Sequence, residues 1–198
     1  MKLSGLRVLL ALVLALSQVG AADPEAAVGV VRETLSAARK VADGEGTRDE
    51  KLESLRGVAR GILDTREMGR RAGGESLAAQ TPEKQAEYYE LFDHVIVRAY
   101  LSKLLLFRKP RFGYRKPRLE GEVVIVGSKV ITTKDEYYVD YEMRERDGRW
   151  VATDVIVEGI SLSDNYYEQF SSLLRGRSFD ELLDLMRRKT RRVREEPA

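Results

Sequence analysis

Few side chains of this 198-residue sequence have the type and spacing needed for acid–base or metal chemistry. The chain has no cysteine and one histidine, which excludes most zinc sites. That residue, His94, lies in a predicted long helix, where a solvated or core-edge position is the simpler interpretation. Asp154 and Glu158 share a face of a predicted strand, but four residues at about 3.3 Å each place them about 13 Å apart, beyond the roughly 5–9.5 Å of glycosidase pairs. Asp140 and Glu142 alternate with apolar residues and are interpreted as the solvent side of a strand.

Sequence motifs of the common enzyme classes are also missing. The chain has no nucleophile elbow, phosphate-binding loop, dinucleotide fingerprint or metalloprotease helix motif. It has instead a surplus of large apolar side chains at helical and strand spacing. Such a surplus indicates either an ordinary core or a cavity for an apolar ligand, and the pattern alone does not separate them. No catalytic residue, metal site or enzymatic activity is therefore predicted.

The first 22 residues have the pattern of a secretory signal peptide. Lys2 and Arg7 precede an apolar run at 8–16, and small residues follow at 20–22. The run is about half of the roughly 20 residues that a membrane-spanning helix needs. We therefore expect residues 1–22 to be removed and the protein to be periplasmic.

Charge is balanced once this leader is set aside. The chain has 34 basic and 32 acidic residues, and the leader holds two of the basic ones. The exported chain is thus neutral, and neither its charge nor its location fits a nucleic-acid partner. A basic tail begins at about Arg187; it is interpreted as a solvated helix end, with a weak contact to anionic headgroups or an acidic partner as the alternative.

Residues 23–198 are predicted to form one α+β domain. Asp23 before Pro24 and a capping box at 47–50 start two helices, and a third, long helix runs from Pro82 to about Phe107. The third helix is apolar over far more than the roughly 100° that a surface helix needs, so it is expected to be buried on two sides.

The second half changes to strand periodicity. Strands are predicted at 121–133, 137–143 and 149–158, the last two joined by an Asp147-Gly148 hairpin turn. Two helices follow, the second after a capping box at Ser178. Helices followed by an antiparallel meander indicate an α+β fold.

Several ordered motifs resemble those of the MlaC family, the periplasmic phospholipid-binding component of the lipid-asymmetry (toluene-tolerance) ABC transport system. They lie at 81–85, 91–92, 139–141, 147–150 and, as the hallmark segment, 154–174. The resemblance spans roughly residues 56–190. The chain departs from the pattern at Tyr167, where a basic residue is expected, and at 72–76, which lacks an apolar residue before the glycines and a nearby tryptophan.

The resemblance implies a curved antiparallel sheet enclosed by helices, similar to the NTF2-like cone, around an apolar lipid cavity. It implies a carrier that binds a glycerophospholipid by its acyl chains, with no cofactor other than this cargo. Its expected partners are an inner-membrane Mla-type ABC transporter complex and an outer-membrane lipoprotein complex, and a monomer is expected. The alternatives are an envelope protein without a transport role and an NTF2-like enzyme acting on a small apolar substrate.

Strand parity and the wide apolar helix predict the lipid-binding residues. They are large side chains expected to face one interior: Phe92, Ile96, Tyr100, Leu104, Val139, Tyr141, Met143, Val155 and Val157. Tyr166, which follows the sheet, is also named as a lipid-binding residue, with a role in fixing the sheet-to-helix junction as its alternative.

Overall fold

The structure of the chain, a computed structural model, describes residues 23–105 and 110–192, without the side chains of 97–98, 102–104 and 191–192. The predicted leader lies outside these residues. The described helices are α1 Pro24–Asp43, α2 Arg48–Arg60, α3 Thr65–Ala78, α4 Pro82–Leu104, α5 Leu162–Leu174 and α6 Phe179–Arg192. The described strands are β1 Arg111–Tyr114, β2 Arg118–Glu120, β3 Val123–Ile131, β4 Glu136–Arg146, β5 Arg149–Val157 and β6 Ile160–Ser161. None of the described helices is long and apolar enough to cross a membrane.

The helices begin at the caps that the sequence predicts. The Asp23 side chain accepts a hydrogen bond of 3.0 Å from the Glu25 amide at the start of α1. In α2, Thr47 and Glu50 each accept a hydrogen bond from the other's backbone amide, at 3.3 and 2.8 Å. Each cap satisfies donors that a helix start leaves unpaired, which fixes where the helix begins.

An open antiparallel sheet carries the second half of the fold. The strand order is β1-β3-β4-β5-β6, and β2 also pairs with β3. Asp147 and Gly148 have φ values of 51° and 72°, as the tight turn between β4 and β5 requires. A β-bulge shifts the β4–β5 register between Glu142 and Met143, which bends the strand pair. The predicted α+β fold is confirmed, and its NTF2-like form stays a prediction.

Helix α3 is interrupted at the glycine pair 73–74. Helix α3 kinks at Gly74, which has φ 50° and ψ −144°, and then continues to Ala78. The Tyr167 ring lies over this kink, so that a Cβ atom at Gly74 would be 2.8 Å from it. Tyr167, one departure from the family pattern, therefore packs against the glycine segment that holds the other.

Replacing Gly74 with alanine is expected to destabilise the protein by about 1–3 kcal/mol, because it adds both backbone strain and a clash. Gly57 is the matched control. It lies on the exposed side of α2 with nothing near its missing Cβ, so alanine there should stabilise the helix by about 0.5–1 kcal/mol. Urea unfolding of both variants measures the difference. If alanine at Gly74 and alanine at Gly57 changed the free energy of unfolding equally, the kink would not require a glycine.

The apolar side chains form two separate clusters. The C-terminal cluster joins α3–α6 and consists of Met68, Ala72, Leu77, Tyr88, Phe92, Val95, Ile96, Val155, Leu162, Tyr166, Phe170, Phe179, Leu182, Leu183 and Met186. The α1 cluster packs α1 on the sheet and consists of Ala27, Val28, Val31, Leu35, Ile62, Val124, Val126, Met143, Trp150 and Ala152. Tyr141 and Leu63 contact both clusters.

Candidate functional site

A cavity of about 510 Å³ lies where the two clusters meet. Helices α1, α2 and α4 form one side of it, and strands β3–β5 with the start of α5 form the other. Its lining residues are Val31, Thr34, Leu35, Ala38, Leu55, Val58, Ala59, Ile62, Leu63, Ile96, Tyr100, Leu101, Val130, Tyr137, Val139, Tyr141, Val155, Val157 and Leu162. The volume falls within the range of roughly 300–1,000 Å³ that small-molecule sites occupy.

The cavity has a closed end and an open end. Along α4, Ile96 is buried whereas Tyr100, one turn later, is half-buried. Along β5, Val155 is buried and Val157 is half-buried. The mouth therefore lies toward the C-terminal end of α4 and the end of β5, on the side of the β3–β4 hairpin.

The cavity wall carries no charged side chain among the described residues, and its polar groups are hydroxyls. Thr34 donates its hydroxyl hydrogen bond to the Val30 carbonyl at 2.8 Å, within its own helix. Burial raises the pKa of Tyr141 to about 12, so its phenol is neutral at physiological pH. A wall of this kind can surround a hydrocarbon chain. None of its described side chains titrates near neutral pH, as a general acid or base would need to.

Six of the ten predicted lipid-binding residues line the cavity: Ile96, Tyr100, Val139, Tyr141, Val155 and Val157. The pairs Val139–Val157 and Tyr141–Val155 lie opposite each other on β4 and β5. The structure thus brings together side chains that are distant in the sequence on one face of the sheet, while α4 supplies the facing wall.

Three of the other four, Phe92, Met143 and Tyr166, are not among the described lining residues. Phe92 and Tyr166 pack in the C-terminal cluster, with ring centroids 5.7 Å apart at 76°. Met143 is fully buried in the α1 cluster, on the same strand as Val139 but beyond the β-bulge. The side chain of Leu104 lies outside the described residues. Periodicity predicts which side chains of a helix or strand face the interior. It does not predict which of them line a cavity and which pack in the core.

Helix α4 is apolar on two sides for two reasons. Tyr88 and Phe92 stack at 5.7 Å in the C-terminal cluster, whereas Ile96, Tyr100 and Leu101 reach the cavity. The wide apolar surface predicted from the sequence therefore serves core packing at the start of the helix and the cavity toward its end.

Helices α1 and α2 supply lining residues that sequence reasoning missed. Leu35 and Ala38 on α1, and Leu55 and Ala59 on α2, form one wall of the cavity. In the sequence these four residues form ordinary apolar stripes at helical spacing. Every core-facing amphipathic helix has such a stripe, so the pattern holds no signal that separates a cavity wall from a packed core.

A buried polar network lies beside the cavity, and it corrects the interpretation of Glu142 as a solvent-facing residue. Glu142 is opposite Asp154 across the strands, and Arg71 of α3 contacts both, at 3.1 and 3.5 Å. Asp154 is 1% exposed and also accepts hydrogen bonds from the Ser163 amide and hydroxyl at 3.2 and 3.0 Å. This carboxylate therefore joins the sheet to the start of α5.

A second charged cluster joins α2 to α4. The Arg56 Nη2 atom lies 2.8 Å from Nε2 of His94 and 3.3 Å from Asp93. Arg60 also contacts Asp93, at 3.0 Å, and the Thr65 hydroxyl donates to it at 3.0 Å. These five residues are called the α2–α4 cluster below. None of them lines the cavity, so His94 is not placed to act on a bound ligand.

Comparison with known proteins agrees with this geometry. The sequence model of the MlaC protein family matches residues 29–188. The chain belongs to the MlaC family. Proteins of the MlaC family are in general periplasmic. None of the curated proteins compared with the sequence matches it significantly.

A solved structure has a similar fold. It is a phospholipid-binding protein from Ralstonia solanacearum in complex with a phospholipid, with a TM-score of 0.77 and 19% sequence identity. The similarity covers 85% of this chain and 99% of the other. At this identity the likeness concerns the fold.

Proposed function

We propose that the protein is a periplasmic phospholipid carrier that holds a glycerophospholipid by its acyl chains and leaves the headgroup at the mouth. The observation that carries the proposal is the uncharged, apolar wall of the 510 Å³ cavity. Membership of the MlaC family and the phospholipid bound to the Ralstonia protein support it.

The energetics of an acyl chain explain why such a wall suffices. Each buried methylene contributes about 0.8 kcal/mol, so a phospholipid leaves a bilayer slowly unless another apolar environment accepts its chains. Val139 and Val157 on the sheet face Tyr100 on α4 across that environment. Because the described residues of the wall include no charged side chain that could select a headgroup, we expect several phospholipid classes to bind.

Transport direction is proposed to depend on partners. The carrier would accept and release cargo passively between an outer-membrane lipoprotein complex and an inner-membrane Mla-type ABC transporter complex. Export to the periplasm would use the signal peptide at 1–22, which is removed. In this role the chain acts as a monomer of one domain, residues 23–198.

The position of the titratable groups favours binding over catalysis. An NTF2-like enzyme would need an acid, base or polar cluster on the cavity wall. Asp154 accepts hydrogen bonds from Ser161 and Ser163 at the start of α5, and His94 is bound by Arg56. Neither Asp154 nor His94 is a lining residue. The proposed function therefore includes no chemical step.

Native mass spectrometry of the protein purified without detergent tests the proposal. We expect a bound mass of a diacyl glycerophospholipid at one per chain, and solvent extraction then identifies the headgroup. A protein that is free of lipid, and that takes up none from phosphatidylglycerol vesicles, would leave only the similarity of fold.

A further inference from the structure

Helix α2 is a part of the cavity wall with little packing behind it. Its only buried side chains are Leu55 and Ala59, and it packs on α1 and α4. A glycine stands on each side of it, Gly46 with φ 116° before it and Gly61 at its C-terminal cap. Elements with few buried contacts open at low free-energy cost, and the opening of α2 would expose the cavity from its side.

The α2–α4 cluster holds this helix in place through polar contacts. A guanidinium group can only donate hydrogen bonds, so the 2.8 Å contact of Arg56 with Nε2 of His94 requires that nitrogen to accept. An imidazole can accept at Nε2 only when it is neutral. The contact therefore exists in one protonation state of His94.

We propose that α2 is the gate of the lipid cavity and that protonation of His94 opens it. The proposal rests on the proposed function, since it describes how the same cavity would load and empty. Protonation removes the acceptor for Arg56 and places a third cation beside Arg56 and Arg60.

The charges around His94 determine the direction of the effect. Burial, followed by the charge of Arg56, lowers the pKa of His94, and Arg60 adds to this, while Asp93 and Glu90 oppose it. Glu53 of α2 lies 3.8 Å from Arg56 and is itself largely exposed. With the gate open, His94 regains an ordinary pKa of about 6.5. The closed state is thus favoured above that pH and loses stability as the pH falls below it.

A second feature of Arg56 makes the closed state easy to leave. Its Nε atom is buried and has no hydrogen-bond partner among the described residues. A buried donor without a partner regains water when its surroundings open. Opening α2 therefore relieves one unsatisfied group at neutral pH and a charge repulsion at acidic pH.

Lipid release at two pH values tests the gate. The chain is loaded with pyrene-labelled phosphatidylcholine, and transfer to phosphatidylcholine vesicles is followed at about pH 7.5 and about pH 5. We expect release to accelerate by up to about thirtyfold at the lower pH, the limit for a group of pKa about 6.5. The His94→Gln variant keeps an acceptor oxygen and does not titrate, so its rate should change less than about twofold.

Two results would overturn the gate: no acceleration in the wild-type chain, or the same acceleration in His94→Gln. Hydrogen exchange of the wild-type chain gives a second measurement that needs no variant. Amides of α2, corrected for intrinsic rates, should lose protection at the lower pH while those of α6 keep it, and unchanged α2 protection would contradict the proposal. If no phosphatidylcholine binds at either pH, the carrier function fails, and the exchange experiment still decides whether α2 opens.

Discussion

Replacing Val157 with phenylalanine is expected to weaken phospholipid binding about tenfold to a hundredfold while the protein stays folded. Val157 lies opposite Val139 on the cavity wall, half-buried near the mouth, where a larger ring projects into open space rather than into a packed core. A ring in the path of an acyl chain must be displaced or leaves methylenes in water, at about 0.8 kcal/mol each, and about 1.4 kcal/mol is a factor of ten in affinity.

The neighbouring Ile156 provides the control. It is also half-buried, but successive strand side chains point to opposite faces, and it is not among the cavity-lining residues. Ile156→Phe should therefore leave binding within about twofold of the wild type. Binding of a fluorescent phosphatidylglycerol, together with circular dichroism, measures both variants. Equal affinities of the two variants would show that the cavity does not hold the lipid.

Replacing Asp154 with asparagine is expected to lower the free energy of unfolding by about 3–5 kcal/mol. The carboxylate is 1% exposed and accepts from the Val155 amide at 2.8 Å and from both donors of Ser163. An asparagine of the same shape turns one acceptor into a donor. Either the Ser161 hydroxyl, which donates to Asp154, or Arg71 then loses its partner. For a chain of this length the melting temperature should fall by about 6–20 °C.

An exposed ion pair gives the matched control for Asp154. Glu120 lies 3.4 Å from Arg118, and their side chains are 58% and 53% exposed. Glu120→Gln should change the free energy of unfolding by less than about 1 kcal/mol. Thermal unfolding of the two variants measures the difference. A fall in melting temperature no larger for Asp154→Asn than for Glu120→Gln would show that the Asp154 network does not stabilise the fold.

Features encoded by a few adjacent residues were predictable from the sequence. Thr47 and Glu50 are three residues apart, and Asp147 and Gly148 are neighbours, so each pair fixes its backbone without help from the rest of the fold. The pattern of the long helix likewise predicted burial on two sides. These signals, combined in order, suffice for the α+β fold.

The polar contacts that join these elements were not predictable. Arg71 and Glu142 are 71 residues apart, and only the packing of α3 beside β4 and β5 brings them together. Alternation placed Glu142 on the solvent side because it cannot show that a helix covers that side. The β-bulge beside Met143 also breaks the alternation. The side of the sheet on which a β4 residue lies therefore does not predict the side of the β5 residues beyond the bulge.

The gap between the α1 cluster and the C-terminal cluster gives the cargo a part in protein turnover. A ligand that binds only the native state, at a free concentration a hundred times its Kd, stabilises that state by about 2.7 kcal/mol. The unfolded fraction then falls about a hundredfold, and with it the rate at which a protease that needs unfolded chain degrades the carrier. Half-lives of the empty and lipid-filled protein under such a protease measure this coupling. Empty carriers would be removed first, so the amount of carrier would follow the supply of lipid without any control of its synthesis.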